Sequence, residues 1–214
     1  MKLHGYYRSS TSYRVRIALG LKKVAYEYVP VNLLKAEQRG EAFAAINPHQ
    51  TVPALEVNGD ILVQSLAIID WLEETYPEPS FLPEDKKAAH ICKSLYYAIS
   101  SEIHAPLNPP VLKYLKEEFG ADSAAINLWY AKWIKRTFVP VEKRLAEHKW
   151  LSTDLPFGIA SLFEIVLIPQ IYNARRWNVD LAEFPNLRKI DIYCNTMDVF
   201  QTAHPENQPD TPPA

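Results

Sequence analysis

Four hydroxyl-bearing residues stand in a row, Ser9-Ser10-Thr11-Ser12, with Arg8 before them and Arg14 and Arg16 after. A strand-like run, Leu3 to Tyr7, precedes them, and the apolar spacing of Val15, Ala18, Leu19 and Leu21 predicts a helix over Tyr13 to Lys22. The hydroxyls therefore sit at a helix N-terminus, with Ser10 or Ser12 as the N-cap. Backbone N–H groups and the positive end of the helix dipole favour an anion there. A thiolate brought to that point would gain hydrogen bonds, and its pKa would fall below the ~8.5 of a free thiol. The plainer use of such residues is to cap the helix and nothing more. Two other features bear on the choice. Pro53 opens the third strand in Thr51-Val52-Pro53-Ala54-Leu55; it is either a strand boundary or, if cis, it turns the Val52 backbone outward to pair with an extended peptide. Gln64-Ser65 stands at the start of the third helix, a second anion cradle suited to a carboxylate. Two helix N-termini and an exposed strand backbone are what a small acidic peptide requires.

The elements that must position these groups are short and alternate in period. Tyr26 to Val31 reads as a second strand, followed by a helix from Lys35 to Ile46 that ends before Asn47-Pro48. Pro53 to Val57 and Ile61 to Val63 form a hairpin around Asn58-Gly59, the preferred two-residue turn. Ser65 is expected to cap a helix from Leu66 to Tyr76, giving the order β-α-β-α-β-β-α. The stretch Pro77 to Asp85 carries Pro77, Pro79 and Pro83 and reads as a linker. Helical patterns follow over Ala88 to Glu118, Ser123 to Lys149, Ser161 to Arg176 and Phe184 to Phe200. Pro106, Pro109 and Pro110 must bend or break the first of these. The closing run Gln208 to Ala214 has little to bury and is expected to be loose. The fold class is thus α/β followed by all-α, with domains at 1–80 and 88–207.

Composition narrows the chemistry. The chain of 214 residues carries 23 basic and 25 acidic side chains, a net charge of −2 that points to no nucleic-acid partner. Six glycines leave no G-x-G-x-x-G or P-loop pattern, which sets aside nucleotide chemistry through those loops. Two cysteines, Cys92 and Cys194, cannot make a disulfide framework or a four-cysteine zinc site, and both read as buried small hydrophobes. The six histidines show no metal-ligand spacing, so no metal is expected. Trp129, Tyr130 and Trp133 lie at helical spacing and read as core or interface residues. No secretory signal or membrane-length apolar run is visible, and the expected setting is cytoplasmic.

The stretch Arg8-Ser9-Ser10-Thr11-Ser12-Tyr13-Arg14-Val15-Arg16-Ile17-Ala18-Leu19 closely resembles the signature of zeta-class glutathione transferases, the class of maleylacetoacetate and maleylpyruvate isomerases. The resemblance continues through Asn47-Pro48, Val52-Pro53-Ala54-Leu55, Gln64 to Ile69, Phe119 to Asp122, Val166 to Gln170 and Asn173 to Arg176, nearly the whole chain. It implies a thioredoxin-like first domain, a helical second domain and a homodimer. It also implies glutathione as a cofactor in cis–trans isomerisation of a maleyl keto acid, through thiolate addition, rotation and elimination.

Carried over by motif, Ser9 is the hydroxyl that supports the thiolate, with Ser10 and Thr11 in the same shell. Thr11 stands where the maleylacetoacetate enzymes have cysteine and matches the bacterial maleylpyruvate enzyme. Val52 is implied to bond the cysteinyl backbone of glutathione, and Gln64 and Ser65 its γ-glutamyl end; Gln38, His104 and Asn108 match its remaining contacts. The substrates of this class are dianions, so Arg8 and Arg176 are expected to grip the carboxylates. Arg14 and Arg16 are expected to anchor the helix or to serve a dimer interface. Two departures stand out. Pro109-Pro110 occupies positions where the maleylpyruvate enzyme carries arginines, which keeps open a general transferase acting on electrophiles such as α-haloacids. The helix-start motif of the class is altered to Phe157-Gly158-Ile159-Ala160-Ser161-Leu162-Phe163-Glu164, in which Ser161 and Glu164 still form a capping box.

Overall fold

The computed structural model describes residues 1–147 and 154–213 and divides into two compact units. The first comprises Met1–Ser80 with Asn195–Ala214, and the second Phe81–Cys194.

In the first unit a four-stranded sheet runs in the order β2-β1-β3-β4, built from β1 (Lys2–Gly5), β2 (Glu27–Pro30), β3 (Ala54–Val57) and β4 (Asp60–Val63). β1 pairs parallel with β2, which requires a crossover, and antiparallel with β3. The crossover is α1 (Ser10–Leu21). β3 and β4 join through Asn58 and Gly59 at φ 53° and 95°, the two left-handed residues that a tight hairpin of this twist demands. α1 is covered by α3 (Ser65–Thr75) and by α9 (Asp198–Ala203), which explains why Tyr13 to Leu19 are all buried, Arg14 and Arg16 included. The α9 contact depends on Gly20: a Cβ there would lie 2.5 Å from Val199 Cγ2.

The helix expected over Lys35 to Ile46 is shorter. Two single 3₁₀ turns, Leu33–Lys35 and Glu37–Arg39, precede α2 (Glu41–Ile46). The Asn32 carboxamide accepts the Leu34 and Lys35 amides at 3.0 and 3.1 Å, and Glu37 takes the Asn32 amide at 2.7 Å. Such local bonds compete with a continuous helix. α2 packs Phe43 against Tyr6, Tyr7, Val31, Val52 and Ala54.

The proline-rich stretch is tied down as far as the first unit extends. The buried Lys22 ammonium bonds Glu73 at 2.6 Å and the Pro79 carbonyl at 2.7 Å, and Ser80 bonds the other Glu73 oxygen at 2.7 Å.

In the second unit α4 (Lys86–Tyr97) passes into a π-helical turn, Ala98–Ile103, and a 3₁₀ turn, Ala105–Leu107, before α5 (Pro109–Phe119) begins. The break expected from three prolines is thus real, and Pro109 and Pro110 fall at the first two positions of α5, where a missing N–H costs nothing. α6 (Ser123–Glu147) follows; the end expected at Lys149 lies outside the described residues. α7 (Leu162–Arg176) is buried along most of its length and forms the centre of this unit. Its capping box is present: the Glu164 carboxylate accepts the Ser161 amide at 2.8 Å, and the Ser161 hydroxyl accepts the Phe163 amide at 3.2 Å. Trp129 donates to the Pro106 carbonyl at 2.9 Å, and Tyr130 stacks on Trp177 with centroids 4.1 Å apart.

The helix expected from Phe184 to Phe200 is two helices, α8 (Pro185–Cys194) and α9, parted at Met197, whose backbone is extended and caps α9. The C-terminal run, expected to be loose, is held at Gln208 and Thr211. Gln208 is buried and donates to the Thr202 and His204 carbonyls at 2.8 and 2.9 Å, and Thr211 bonds the Pro205 carbonyl at 2.5 Å.

Candidate glutathione site

Ser9, rather than Ser10 or Ser12, is the N-cap of α1: its backbone is extended and its hydroxyl accepts the Ser12 amide at 3.3 Å. Ser9 Oγ also lies 2.9 Å from Thr11 Oγ1, and Thr11 Oγ1 donates to the Val52 carbonyl at 2.9 Å. A hydroxyl has one proton. Because Thr11 gives its proton to Val52, Ser9 must be the donor in the Ser9–Thr11 pair. The result is an ordered chain, from the Ser12 amide through Ser9 and Thr11 to Val52. Ser9 is half-buried, so its proton can turn to an incoming anion, and no acidic side chain opposes that anion in the first turn of α1.

Val52 is fixed from behind. Buried Asn47 donates to the Thr51 carbonyl at 2.7 Å and accepts the His49 amide at 3.0 Å, which shapes the loop that leads to a cis Val52–Pro53 bond. Asn47 follows the end of α2, and an asparagine before proline at a helix end is the signal for such a turn. Among the described residues the Val52 N–H has no partner within the fold.

Gln64 stands at φ 68°, a left-handed backbone for a residue with a side chain, and is the N-cap of α3. Ser65 is the first helical residue and not the cap, and no side chain caps this helix. The leading N–H groups of α3 are therefore open to a carboxylate. A strained backbone at such a place is consistent with a binding role. Gln38, in the turn before α2, has a buried Oε1 with no partner among the described residues.

Ser9, Thr11 and Val52 are thus brought together by direct bonds. Ser10 is buried at the first position of α1. Arg8 is half-buried, its guanidinium 5.8 Å from the ring centroids of both Tyr6 and Tyr7. Burial pushes the Tyr6 phenol up to about 12 against the opposing charge of Arg8, so Tyr6 stays neutral.

The remaining candidates belong to the second unit. His104 follows the π-helical turn and is half-buried; Asn108 is the N-cap of α5 but makes no side-chain cap bond. Arg176 is exposed at the end of α7, bonded to Asn173 at 3.1 Å. Both cysteines are buried; the Cys92 thiol is pushed up to about 12 and that of Cys194 further, in each case chiefly by burial. Among the described residues no group of three or more His, Cys, Asp or Glu could hold a metal, and no helix is long and apolar enough to cross a membrane.

The model of the glutathione S-transferase N-terminal domain matches residues 3–80. A maleylpyruvate isomerase from Ralstonia sp. is 43% identical over 215 residues, covering 99% of this chain and 100% of its own. A holo structure of maleylpyruvate isomerase, described as a bacterial glutathione S-transferase of zeta class, superposes with a TM-score of 0.96 at 44% identity, covering 99% of this chain and 100% of that one. The chain belongs to the zeta class of glutathione S-transferases. Its first unit is the thioredoxin-like domain of that fold and its second the helical one. A maleylacetoacetate isomerase from Methylobacterium extorquens, solved with malonate and glutathione, has a TM-score of 0.93 at 32% identity over the whole of both chains. The free Val52 amide, the uncapped α3 and the Gln38 oxygen fit such a peptide: each is a polar group left open among the described residues.

Proposed function

We propose that this protein isomerises a cis maleyl keto acid to its trans isomer with glutathione as cofactor, maleylpyruvate being the preferred substrate. One observation carries the reading. The place prepared for a thiolate offers hydroxyls and amides only, while both of the chain's own thiols are buried with raised pKa values. The reactive sulfur must come from a ligand. Glutathione, when bound, supplies the thiolate that adds to the cis double bond, permits rotation and leaves again.

The chain's residues do the rest. Ser9 turns its proton from Thr11 to the sulfur at the positive end of α1, holding the thiol ionised near neutral pH. Val52 holds the peptide backbone of the cofactor through its free N–H, and the open start of α3, with Gln64 and Ser65, takes the glutamyl carboxylate. Gln38, His104 and Asn108 are further contacts of the cofactor. Arg8 and Arg176 grip the substrate carboxylates, and the former, beside Ser9 in sequence, also stabilises negative charge as it moves onto the keto oxygen. In this reading residues 1–80 bind the cofactor and 88–207 form the substrate domain. The protein acts as a homodimer in the cytoplasm. Thr11, a hydroxyl where the maleylacetoacetate enzymes have cysteine, favours maleylpyruvate.

The test is a spectrophotometric isomerase assay on maleylpyruvate and maleylacetoacetate, each with and without glutathione, using the wild type and Ser9→Ala. Turnover that requires glutathione, is faster on maleylpyruvate and falls about 100-fold in Ser9→Ala is expected. Conjugation of α-haloacids with no isomerisation of either acid overturns the reading, as does full activity in Ser9→Ala.

A further inference from the structure

The turn that delivers Arg8 and Ser9 is held by the far end of the chain. The Ser9 amide bonds the Tyr6 carbonyl at 3.0 Å, so Tyr6-Tyr7-Arg8-Ser9 is a β-turn whose central residues are Tyr7 and Arg8. Asp210 accepts the Tyr7 amide at 2.9 Å across 203 residues, and the Tyr28 hydroxyl meets the same carboxylate oxygen at 3.4 Å. From the other side the buried Arg16 guanidinium bonds the Tyr7 carbonyl at 2.8 Å, the Tyr6 carbonyl at 3.5 Å and the Ala203 carbonyl at 2.9 Å. Both backbone polar groups of Tyr7 are therefore clamped, one by the C-terminal run and one by α1, and Arg16 also grips the end of α9. The run itself is braced to present Asp210, through the bonds of Gln208 and Thr211 on either side of it. The second Asp210 oxygen, Oδ1, is buried and has no hydrogen-bond partner among the described residues. The one bonded Asp210 oxygen is thus spent on the Tyr7 amide and the Tyr28 hydroxyl.

We propose that Asp210 is a positioning residue for the isomerase site, acting through the Tyr7 amide to set the turn that aims the Arg8 guanidinium and the Ser9 hydroxyl. This rests on the reading of Ser9 as the thiolate's partner. What the turn takes from Asp210 is an acceptor for the Tyr7 amide, so an amide oxygen in the same place should hold Tyr7 as well.

The experiment compares full-length Asp210→Ala, Asp210→Asn and Ser9→Ala. It reads kcat, the KM for maleylpyruvate, the thermal midpoint, and the ionisation of bound glutathione from its thiolate absorbance against pH. Asp210→Ala is expected to lower kcat about tenfold or more and to raise the pKa of the bound thiol, because a small displacement of a reacting group is amplified in rate. Asp210→Asn is expected to restore both to within about twofold of wild type, the rate following the geometry and not the charge. Deletion of residues 209–214 should reproduce Asp210→Ala in a second, independent variant. The inference is overturned if Asp210→Ala lowers only the thermal midpoint while kcat and the thiol ionisation stay as in the wild type. It is equally overturned if Asp210→Asn is as impaired as the alanine variant. Ser9→Ala separates the two claims: unchanged thiol ionisation there removes the reading of Ser9, whereas a shift there with none in Asp210→Ala removes Asp210 alone.

Discussion

The hydroxyl of Thr11 donates to the backbone carbonyl of Val52 at 2.9 Å, joining the first turn of α1 to the residue that enters β3. The same hydroxyl accepts from Ser9, so in the proposed function one side chain couples the thiolate's partner to the peptide's partner.

Replacing Thr11 should therefore separate two effects. Thr11→Val loses the tie to Val52 but frees the Ser9 proton for the sulfur. The expected result is a KM for glutathione raised about tenfold, the worth of about 1.4 kcal/mol of binding, with the pKa of the bound thiol not raised. Thr11→Ser, which keeps the hydroxyl, should behave as wild type. Steady-state kinetics and thiolate absorbance check both.

Glu164 should make the stability of the protein fall as pH rises. Burial pushes its carboxyl up to about 7, against the opposing bonds from Ser161. A carboxyl at about 4.3 in the unfolded chain is then protonated in the folded state and ionised in the unfolded one across pH ~4.3 to ~7. In that window the native state binds more protons, so this group's contribution declines with rising pH and is lost above the folded value. Glu164→Gln, an isosteric amide that keeps an oxygen for the Ser161 amide, lacks this dependence. Its thermal midpoint relative to wild type should thus rise between pH 5 and pH 8; a constant difference would show that Glu164 does not titrate there.

Arg176 is exposed and its NH1 bonds Asn173, so its removal should cost little stability. As a carboxylate grip, its loss should appear in the substrate. Arg176→Ala is expected to raise the KM for maleylpyruvate about tenfold or more, with glutathione affinity unchanged. A KM equal to wild type would take it out of the site.

The protein's own thiols should be silent. Cys92 and Cys194 are fully buried and their thiols are held protonated at neutral pH. A thiol reagent such as Ellman's should titrate neither in the native protein and both in denaturant. The double variant Cys92→Ala, Cys194→Ala should keep its kcat where it remains folded.

Much of this site was legible because its physics is local. Four hydroxyls before an apolar-spaced helix, an Asn-Gly hairpin and a serine three residues before a buried glutamate each act within one turn of chain. The shift of the α1 cap from Ser10 to Ser9, and of the α3 start from Leu66 to Ser65, is a matter of one residue that periodicity does not resolve. The helix expected before Asn47 failed because Asn32 and Glu37 satisfied the backbone with their own side chains. Asp210 was invisible for a different reason. Its partner lies 203 residues away, and no spacing rule links a proline-flanked aspartate to a tyrosine amide at the other terminus.

The seat of α9 on Gly20 carries one more consequence. Residues 81–194 are an insertion within the first unit, whose final helix follows them in the chain. Residues 81–194 leave the ribosome before α9 does, and until then α1 lacks its outer cover. The fragment 1–80, although it contains the whole sheet, is an unfinished body with one side of its central helix bare. Loss of residues 195–214 then acts on α1, an element that lies far away in sequence.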